Sequence, residues 1–249
     1  MKLQDKNTIV TGGASGFGAG IVARFLEEGA NVTIVDFDKT AALAYMESLK
    51  SDRVHFEYAD LADGKSVAEL FDRLQTRWSR LDVLVNNAGT THLPALLEDV
   101  SEKDFDKVFA VNAKSVYYTS KFAVPWMKQQ AAGAIVNIAS TAALSPRPHL
   151  TWYNASKGWM VTATKSMAIE LASESIRVNA ICPVAGETPL LASFMGSDTP
   201  ETREKFLSSI PLGRFSTPKD IAATALYLAS DEAAMITGVA LEVDGGRCI

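Results

Sequence analysis

Cysteine is nearly missing from this chain. The two present, Cys182 and Cys248, are far apart and lack metal-ligand spacing. They predict free thiols in a reducing compartment, not a disulfide framework. The three histidines, His55, His92 and His149, form no metal-binding pattern, so no metal is expected. There is no apolar run long enough for a membrane-spanning helix. No basic block interrupts the formal charge of −5, so the electrostatic footprint of a nucleic-acid binder is missing. The opening residues, Met1 to Lys6, contain no apolar core segment and do not read as a signal peptide. Internal repeats, low-complexity tracts and linkers are also missing. The expectation is a cytoplasmic protein.

What is present is apolar material, 47% of 249 residues, enough for one large α/β core or two small ones. Short apolar or β-branched runs at 7–11, 31–36, 53–58, 81–86, 134–138, 176–181 and 239–244 predict strands. Helical spacing predicts helices over 16–28, 39–49, 63–80, 101–130, 151–173 and 217–229. Gly29 is placed to close the first helix in the left-handed conformation, and Gly133 to close the fourth. Strands this apolar are buried on both faces, and right-handed crossovers set helices on either side. The expected fold is a single-domain, Rossmann-type, doubly wound parallel sheet of about seven strands flanked by helices. Only 183–216 breaks the alternation. A long excursion at the carboxyl end of a strand predicts a lid, at about 184–215.

Thr11-Gly12-Gly13-Ala14-Ser15-Gly16-Phe17-Gly18 joins the first expected strand to the first helix. Glycines there permit a tight turn and a close approach to a pyrophosphate, while the helix N-terminus offers free N–H groups. Glycines also make ordinary loops, so the position between strand and helix carries the weight. Asp36 ends the second strand, where a carboxylate can accept both ribose hydroxyls of an adenosine and repels a 2′-phosphate. Neither Ser15 nor the Asp36-Phe37-Asp38 segment supplies a cation for such a phosphate. The coenzyme implied is NAD. A strand-end Asx turn is the other reading of Asp36.

Tyr153 and Lys157 stand i and i+4 on the helix expected over 151–173, so their side chains share a face. A phenol is a poor acid, with a reference pKa of about 10. A neighbouring ammonium favours the phenolate and is expected to draw that value toward neutrality. Such a pair can exchange a proton with a carbonyl or hydroxyl. Ser140 can hydrogen-bond the same oxygen. Taken alone, a Tyr and a Lys four apart are usually the flank of an amphipathic helix.

Several motifs coincide with this pair. They are the glycine turn, Asp60-Leu61 after the third strand, Asn86-Asn87-Ala88-Gly89 after the fourth, Asn112, Ser140, and Tyr153-x-x-x-Lys157. In this order and spacing the chain resembles the short-chain dehydrogenase/reductase family over its full length. The resemblance implies that Tyr153 is the general acid/base, that Lys157 lowers its pKa and holds the nicotinamide ribose, and that Ser140 orients the substrate carbonyl. It further implies that Asn112 completes a proton relay through water. Gly12, Ser15, Gly16, Phe17, Gly18, Asp36, Asp60, Leu61, Asn87, Ala88 and Gly89 would hold the coenzyme, with Val111 and Ile181 lining it. The family also implies a homotetramer joined through the 101–130 and 151–173 helices and the C-terminal strand. One departure stands out. The family usually has Pro-Gly after the sixth strand, whereas here Pro183 precedes Val184 and glycine arrives at Gly186. Val184 would then press on the nicotinamide face and Thr188 bond its carboxamide; Thr188 also reads as a helix N-cap before Pro189.

His92, Thr141, His149, Trp152 and Leu190 are the candidate substrate-pocket residues, with Leu93, Ala142, Leu191, Phe194 and Met195 beside them. Arg147 and Arg214 could meet an acidic substrate, but exposed arginines are commonplace. The function expected is NAD-dependent interconversion of a secondary alcohol and a ketone. A 3-oxoacyl-thioester reductase of the acyl-carrier-protein type is the enzymatic alternative, and Asp36 speaks against its usual NADPH chemistry. A non-catalytic nucleotide-sensing protein is the alternative of another class; it would have lost Ser140, Tyr153 or Lys157. An epimerase or dehydratase of the extended relatives would need a larger C-terminal domain.

Overall fold

The apolar runs become strands where the sequence places them, because only a fully covered sheet can bury them. The computed structural model describes residues 1–249. The strands are β1 (Asn7–Thr11), β2 (Asn31–Asp36), β3 (Val54–Tyr58), β4 (Val83–Asn86), β5 (Gly133–Ile138), β6 (Ile176–Pro183) and β7 (Ala240–Val243). They form one parallel sheet in the order β3-β2-β1-β4-β5-β6-β7. The helices are α1 (Gly16–Glu27), α2 (Lys39–Leu49), α3 (Gly64–Arg77), α4 (Glu102–Phe109), α5 (Ser115–Gln129), α6 (Thr151–Leu171), α7 (Leu191–Met195), α8 (Pro200–Leu207) and α9 (Pro218–Ala229).

Successive strand residues point to opposite faces. Val10, Ile34, Val85 and Val136 therefore pack with Phe25 of α1 and Ile221 and Ala225 of α9. Ile9, Val35, Leu84 and Ile135 pack with Leu70 of α3, Trp126 of α5 and Leu171 of α6. One sheet thus carries two cores, as the near-continuous apolar strands predict. Strand order reverses between β1 and β4, and a crevice opens at the carboxyl ends of these two strands.

Three expectations need correction. The helix expected over 101–130 is two helices joined by a π-helical turn, Ala110–Lys114. There the Ser115 N–H reaches back five residues to the Ala110 carbonyl, and the Ser115 hydroxyl donates to the Val111 carbonyl instead. Gly133 does not close that helix. Ala131 takes the left-handed turn (φ 49°), and Gly133 is the first residue of β5, where a Cβ would sit 2.5 Å from the Met127 sulfur. Finally, α3 stops at Arg77, since Trp78 goes extended and is drawn into the core. Gly29 does close α1, with φ 82°.

The excursion after β6 is ordered by pairing at its base. Gly186 bridges Ser216, and the Glu187 N–H donates to the Ser216 carbonyl at 2.9 Å. Above that base, Val184, Leu191, Met195, Ile210 and Phe215 form a small core of their own. This fixes the path of 183–188. Thr188 caps no helix, and α7 begins three residues later.

Candidate active site

The glycine turn is built for close backbone approach. Gly12 and Gly16 have φ of 61° and 53°, values that favour glycine. A Cβ on Gly12 would lie 2.9 Å from the Ala88 Cα. Gly18 works differently. It does not line the crevice; a Cβ there would fall 2.1 Å from the Gly12 carbonyl oxygen, so its lack of a side chain lets the turn close on α1. Behind the turn, the Asn87 amide donates to the carbonyls of Thr11 and Gly12, both at 2.9 Å. The Thr11 hydroxyl accepts from the N–H groups of Asn87 and Ala88.

Helices α2, α3, α4, α8 and α9 are each capped by a side chain, namely Asp38, Asp63, Ser101, Thr199 and Thr217. Ser15, the N-cap of α1, makes no such bond. α6 and α7 lack one too; α1 is the helix that follows the glycine turn, and its free first N–H groups could bond an anion such as a pyrophosphate. Asp36 is almost wholly buried and lines the same crevice. Its carboxylate accepts the N–H groups of Ala14 at 3.2 Å and Asp38 at 3.1 Å. The Asx contact is therefore real, and a carboxylate still has lone pairs for a ribose. These residues fit an adenine dinucleotide.

The crevice continues into a cavity of about 730 Å³ whose lining includes Asp36, Tyr153 and residues of the excursion after β6. Ser15, Gly16, Phe17, Asp60, Leu61, Asn87, Ala88, Gly89, Val111, Pro183, Val184 and Thr188 line it, as the sequence leads one to expect. Ile181 does not; it is sealed in the sheet core. A Cβ on Gly186 would lie 2.2 Å from the Phe17 ring, so the displaced glycine makes room for that ring.

At the centre, Tyr153 and Lys157 are both 4% exposed and lie on the crevice face of α6. The Lys157 ammonium donates to the Ile138 carbonyl at 2.8 Å. Burial lowers the Lys157 pKa to about 8. Burial also raises the Tyr153 phenol well above its usual value, opposed only in part by hydrogen bonding with Ser140. The lowered phenol expected from the Lys157 charge is thus not produced by the protein's own groups. Removal from water is the dominant influence on the phenol, and the Lys157 ammonium is directed at a main-chain oxygen.

Asn112 sits at the middle of the π turn, fully buried. Its amide accepts from the Thr90 N–H at 2.8 Å and donates to the Thr90 carbonyl and the Ser156 hydroxyl, both at 2.9 Å. The π turn swings this side chain onto the loop after β4, and the amide is committed there. Asn112 does not line the cavity.

Of the candidate substrate residues, Thr141 and Leu190 line the cavity and three do not. His92 is buried with its Nδ1 against the Leu93 carbonyl. His149 is exposed in a left-handed turn, φ 64°. Trp152 points away from Tyr153, donates to the Leu97 carbonyl and packs edge-on against Phe105 of α4. One residue along a helix is a turn of about 100°, so Trp152 cannot share the face of Tyr153. Cavity residues that the sequence reading passed over include Thr90, Asn154 and Phe206. Arg147, dismissed as ordinary, lines it too, whereas Arg214 is ion-paired with Asp220 at 2.7 Å.

A family model described as enoyl-(acyl carrier protein) reductase matches residues 12–247. The chain is 45% identical to 4-formylbenzenesulfonate dehydrogenase of Comamonas testosteroni, with both chains fully covered. The chain belongs to the short-chain dehydrogenase/reductase family. It is an oxidoreductase acting on CH–OH groups. A 3-oxoacyl-[acyl-carrier-protein] reductase of Thermotoga maritima is 38% identical, again over the whole of both chains. Among solved structures, a 3-ketoacyl-(acyl-carrier-protein) reductase from Brucella melitensis complexed with NADH superposes with a TM-score of 0.94 at 44% identity, covering 99% of this chain and 100% of that one. No helix of this family member is long and apolar enough to cross a membrane.

Proposed function

We propose that this protein is an NAD-dependent dehydrogenase/reductase that interconverts an alcohol and its carbonyl compound. The observation that carries the reading is one continuous cavity that holds the uncapped α1 turn, Asp36, Ser140, Tyr153 and Lys157 together. The sequence pointed to secondary alcohols and ketones. The Comamonas relative is named for an aromatic aldehyde, which widens the carbonyl to aldehydes.

When bound, the nicotinamide supplies or accepts the hydride. The chain's own residues do the rest. Ser140, whose Oγ accepts the Ala142 N–H at 3.1 Å and so is held in place, donates its proton to the substrate oxygen. Tyr153 donates a proton to that oxygen in reduction and removes it in oxidation. Lys157, held by Ile138, places a cation beside the ribose and the phenol. Asn112 pins Thr90 and so positions the loop after β4, which would support the nicotinamide ribose. The buried phenol keeps its proton until a charged or hydrogen-bonding group enters the site.

Asp36 sets the coenzyme preference. The wild type is expected to favour NADH over NADPH in kcat/KM, and Asp36→Ala to narrow that ratio by about tenfold or more, since a desolvated like-charge contact is lost. Steady-state kinetics with both coenzymes checks this; a wild-type preference for NADPH would sink the assignment.

A 3-oxoacyl-thioester reductase is the second reading, favoured by the names of the Thermotoga and Brucella relatives. A panel of 3-oxoacyl thioesters run beside simple alcohols and aldehydes separates the two. A nucleotide sensor is disfavoured because Ser140, Tyr153 and Lys157 are all retained in the cavity.

The homotetramer belongs to the same proposal. Ile169 and Trp159 on α6, Tyr117 on α5, and Val239 and Leu241 at the β7 edge are exposed apolar residues that a partner would cover. Light scattering is expected to give four times the chain mass; a monomer at micromolar concentration would refute it.

A further inference from the structure

The chain has ten arginines, and most are accounted for. Arg24, Arg53, Arg73, Arg80, Arg203 and Arg214 pair with carboxylates. Arg177 donates to the carbonyls of Leu228, Ser230 and Ile236. Arg77 is exposed on the last turn of α3. Two remain, Arg147 and Arg247, and neither has a carboxylate within 4.0 Å.

Arg147 lines the substrate end of the cavity. Its guanidinium lies 4.4 Å above the Phe206 ring of α8, and Nη2 donates to the Ser209 hydroxyl at 2.9 Å. That neutral hydroxyl is the side chain's one hydrogen-bond partner in the protein. The backbone is held as well. Pro146 and Pro148 flank it, and the Arg147 carbonyl accepts the Asn154 amide at 2.8 Å, one residue from Tyr153. Partial burial and the charge of Arg247 both lower the Arg147 pKa. Arg247 itself donates to Ser145, and its Nε is buried without a partner. Arg247 is thus tied to Ser145, two residues before Arg147, and both arginines are partly withdrawn from water in a chain whose net charge is −5.

A partly desolvated cation without a counter-charge is unfavourable, and a fixed planar guanidinium suits an oxyanion with two oxygens. The cavity that Arg147 and Tyr153 both line has an aromatic and aliphatic wall that includes Leu150, Leu190, Phe194 and Phe206. Phe206 lies under the guanidinium, and the Phe194 ring meets the Tyr153 ring edge-on at 4.8 Å. We propose that Arg147 is the anchor of an anionic subsite, so that the substrate is a carbonyl or alcohol compound with a flat apolar body and a carboxylate or sulfonate at the end remote from the reacting carbon. This deepens the dehydrogenase reading and rests on it for the position of the reacting carbon. The Phe206 ring holds the guanidinium flat, the α8 segment brings that ring over the pocket, and Arg247 strengthens the local positive potential.

The test uses matched benzyl alcohols that carry a para carboxylate, a para sulfonate or a neutral para carboxamide. Binding to the full-length protein with NADH present is measured by calorimetry, and turnover of the corresponding aldehydes is followed by NADH absorbance. Wild type is expected to prefer the anions over the amide by about 10- to 100-fold, the worth of a charge-assisted hydrogen bond. Arg147→Met is expected to erase that ratio mainly through KM, and Arg147→Lys to keep part of it. A purely structural Arg147 would move all three ligands together and leave the ratio intact. Equal binding of anions and amide by wild type, or an undiminished ratio in Arg147→Met with an unchanged melting temperature, overturns the proposal. Anion-selective binding without turnover of any carbonyl would sustain the subsite and overturn the dehydrogenase reading instead. A carboxylate-only or sulfonate-only preference identifies which oxyanion the fork fits.

Discussion

Tyr153→Phe is expected to lower turnover by about 10²–10⁴-fold, the usual loss on removing a general acid/base. Coenzyme affinity is expected to persist, because the turn at Gly12 to Gly18 and Asp36 lie at the other end of the cavity. The substitution removes one oxygen and keeps the ring that Phe194 packs against at 4.8 Å, so the fold is undisturbed. The measurement is single-turnover reduction with prebound NADH, alongside fluorescence titration of NADH. A variant that retains near-normal turnover would show that the proton comes from elsewhere. Since burial holds the phenol high, the wild-type rate of oxidation is expected to rise with pH, and Tyr153→Phe to lose that rise and keep only the dependence due to Lys157, which titrates at about 8.

Gly18→Ala carries the second largest expected effect, on binding rather than chemistry. Its methyl group would sit 2.1 Å from the Gly12 carbonyl oxygen, and backbone cannot yield as a flexible side chain can. The turn must open, and the Asn87 amide bonds to Thr11 and Gly12 must lengthen with it. Overpacking of this kind costs about 1–3 kcal/mol. We expect NADH affinity to drop by about 10- to 100-fold, the same energy expressed as binding. Thermal melts with and without NADH check this: the variant is expected to lose most of the coenzyme-dependent rise in Tm. Gly158→Ala is the control, since a Cβ there meets nothing within 4 Å.

The parts of the site that were legible are those fixed by local chain geometry. A glycine that must take positive φ, a carboxylate that must end a strand, and two side chains that must share a helix face all follow from short-range rules. Gly12, Asp36, Tyr153 and Lys157 are of this kind. The substrate end was not legible, because it is made of residues from loops whose direction is set by packing. His149 and Trp152 are neighbours of Tyr153 in sequence and point elsewhere, one into solvent and one onto Phe105 of α4. Arg147 and Phe206 are 59 residues apart and face each other. Asn112 reaches Thr90 only through a π turn, for which the amphipathic pattern gives no signal.

The sequence by itself determined the layers of this protein and the coenzyme end of its cavity. Seven apolar runs have to be buried, and a parallel sheet covered on both faces is the arrangement that buries them with short crossovers. Tertiary structure alone decided how the charges balance around the reacting end. Whether a guanidinium is neutralised depends on which carboxylate the fold brings within reach. Asp220 comes to Arg214 at 2.7 Å, and none comes to Arg147. The same residue type is thereby a surface ion pair in one place and a cation without a carboxylate partner on the cavity wall in the other.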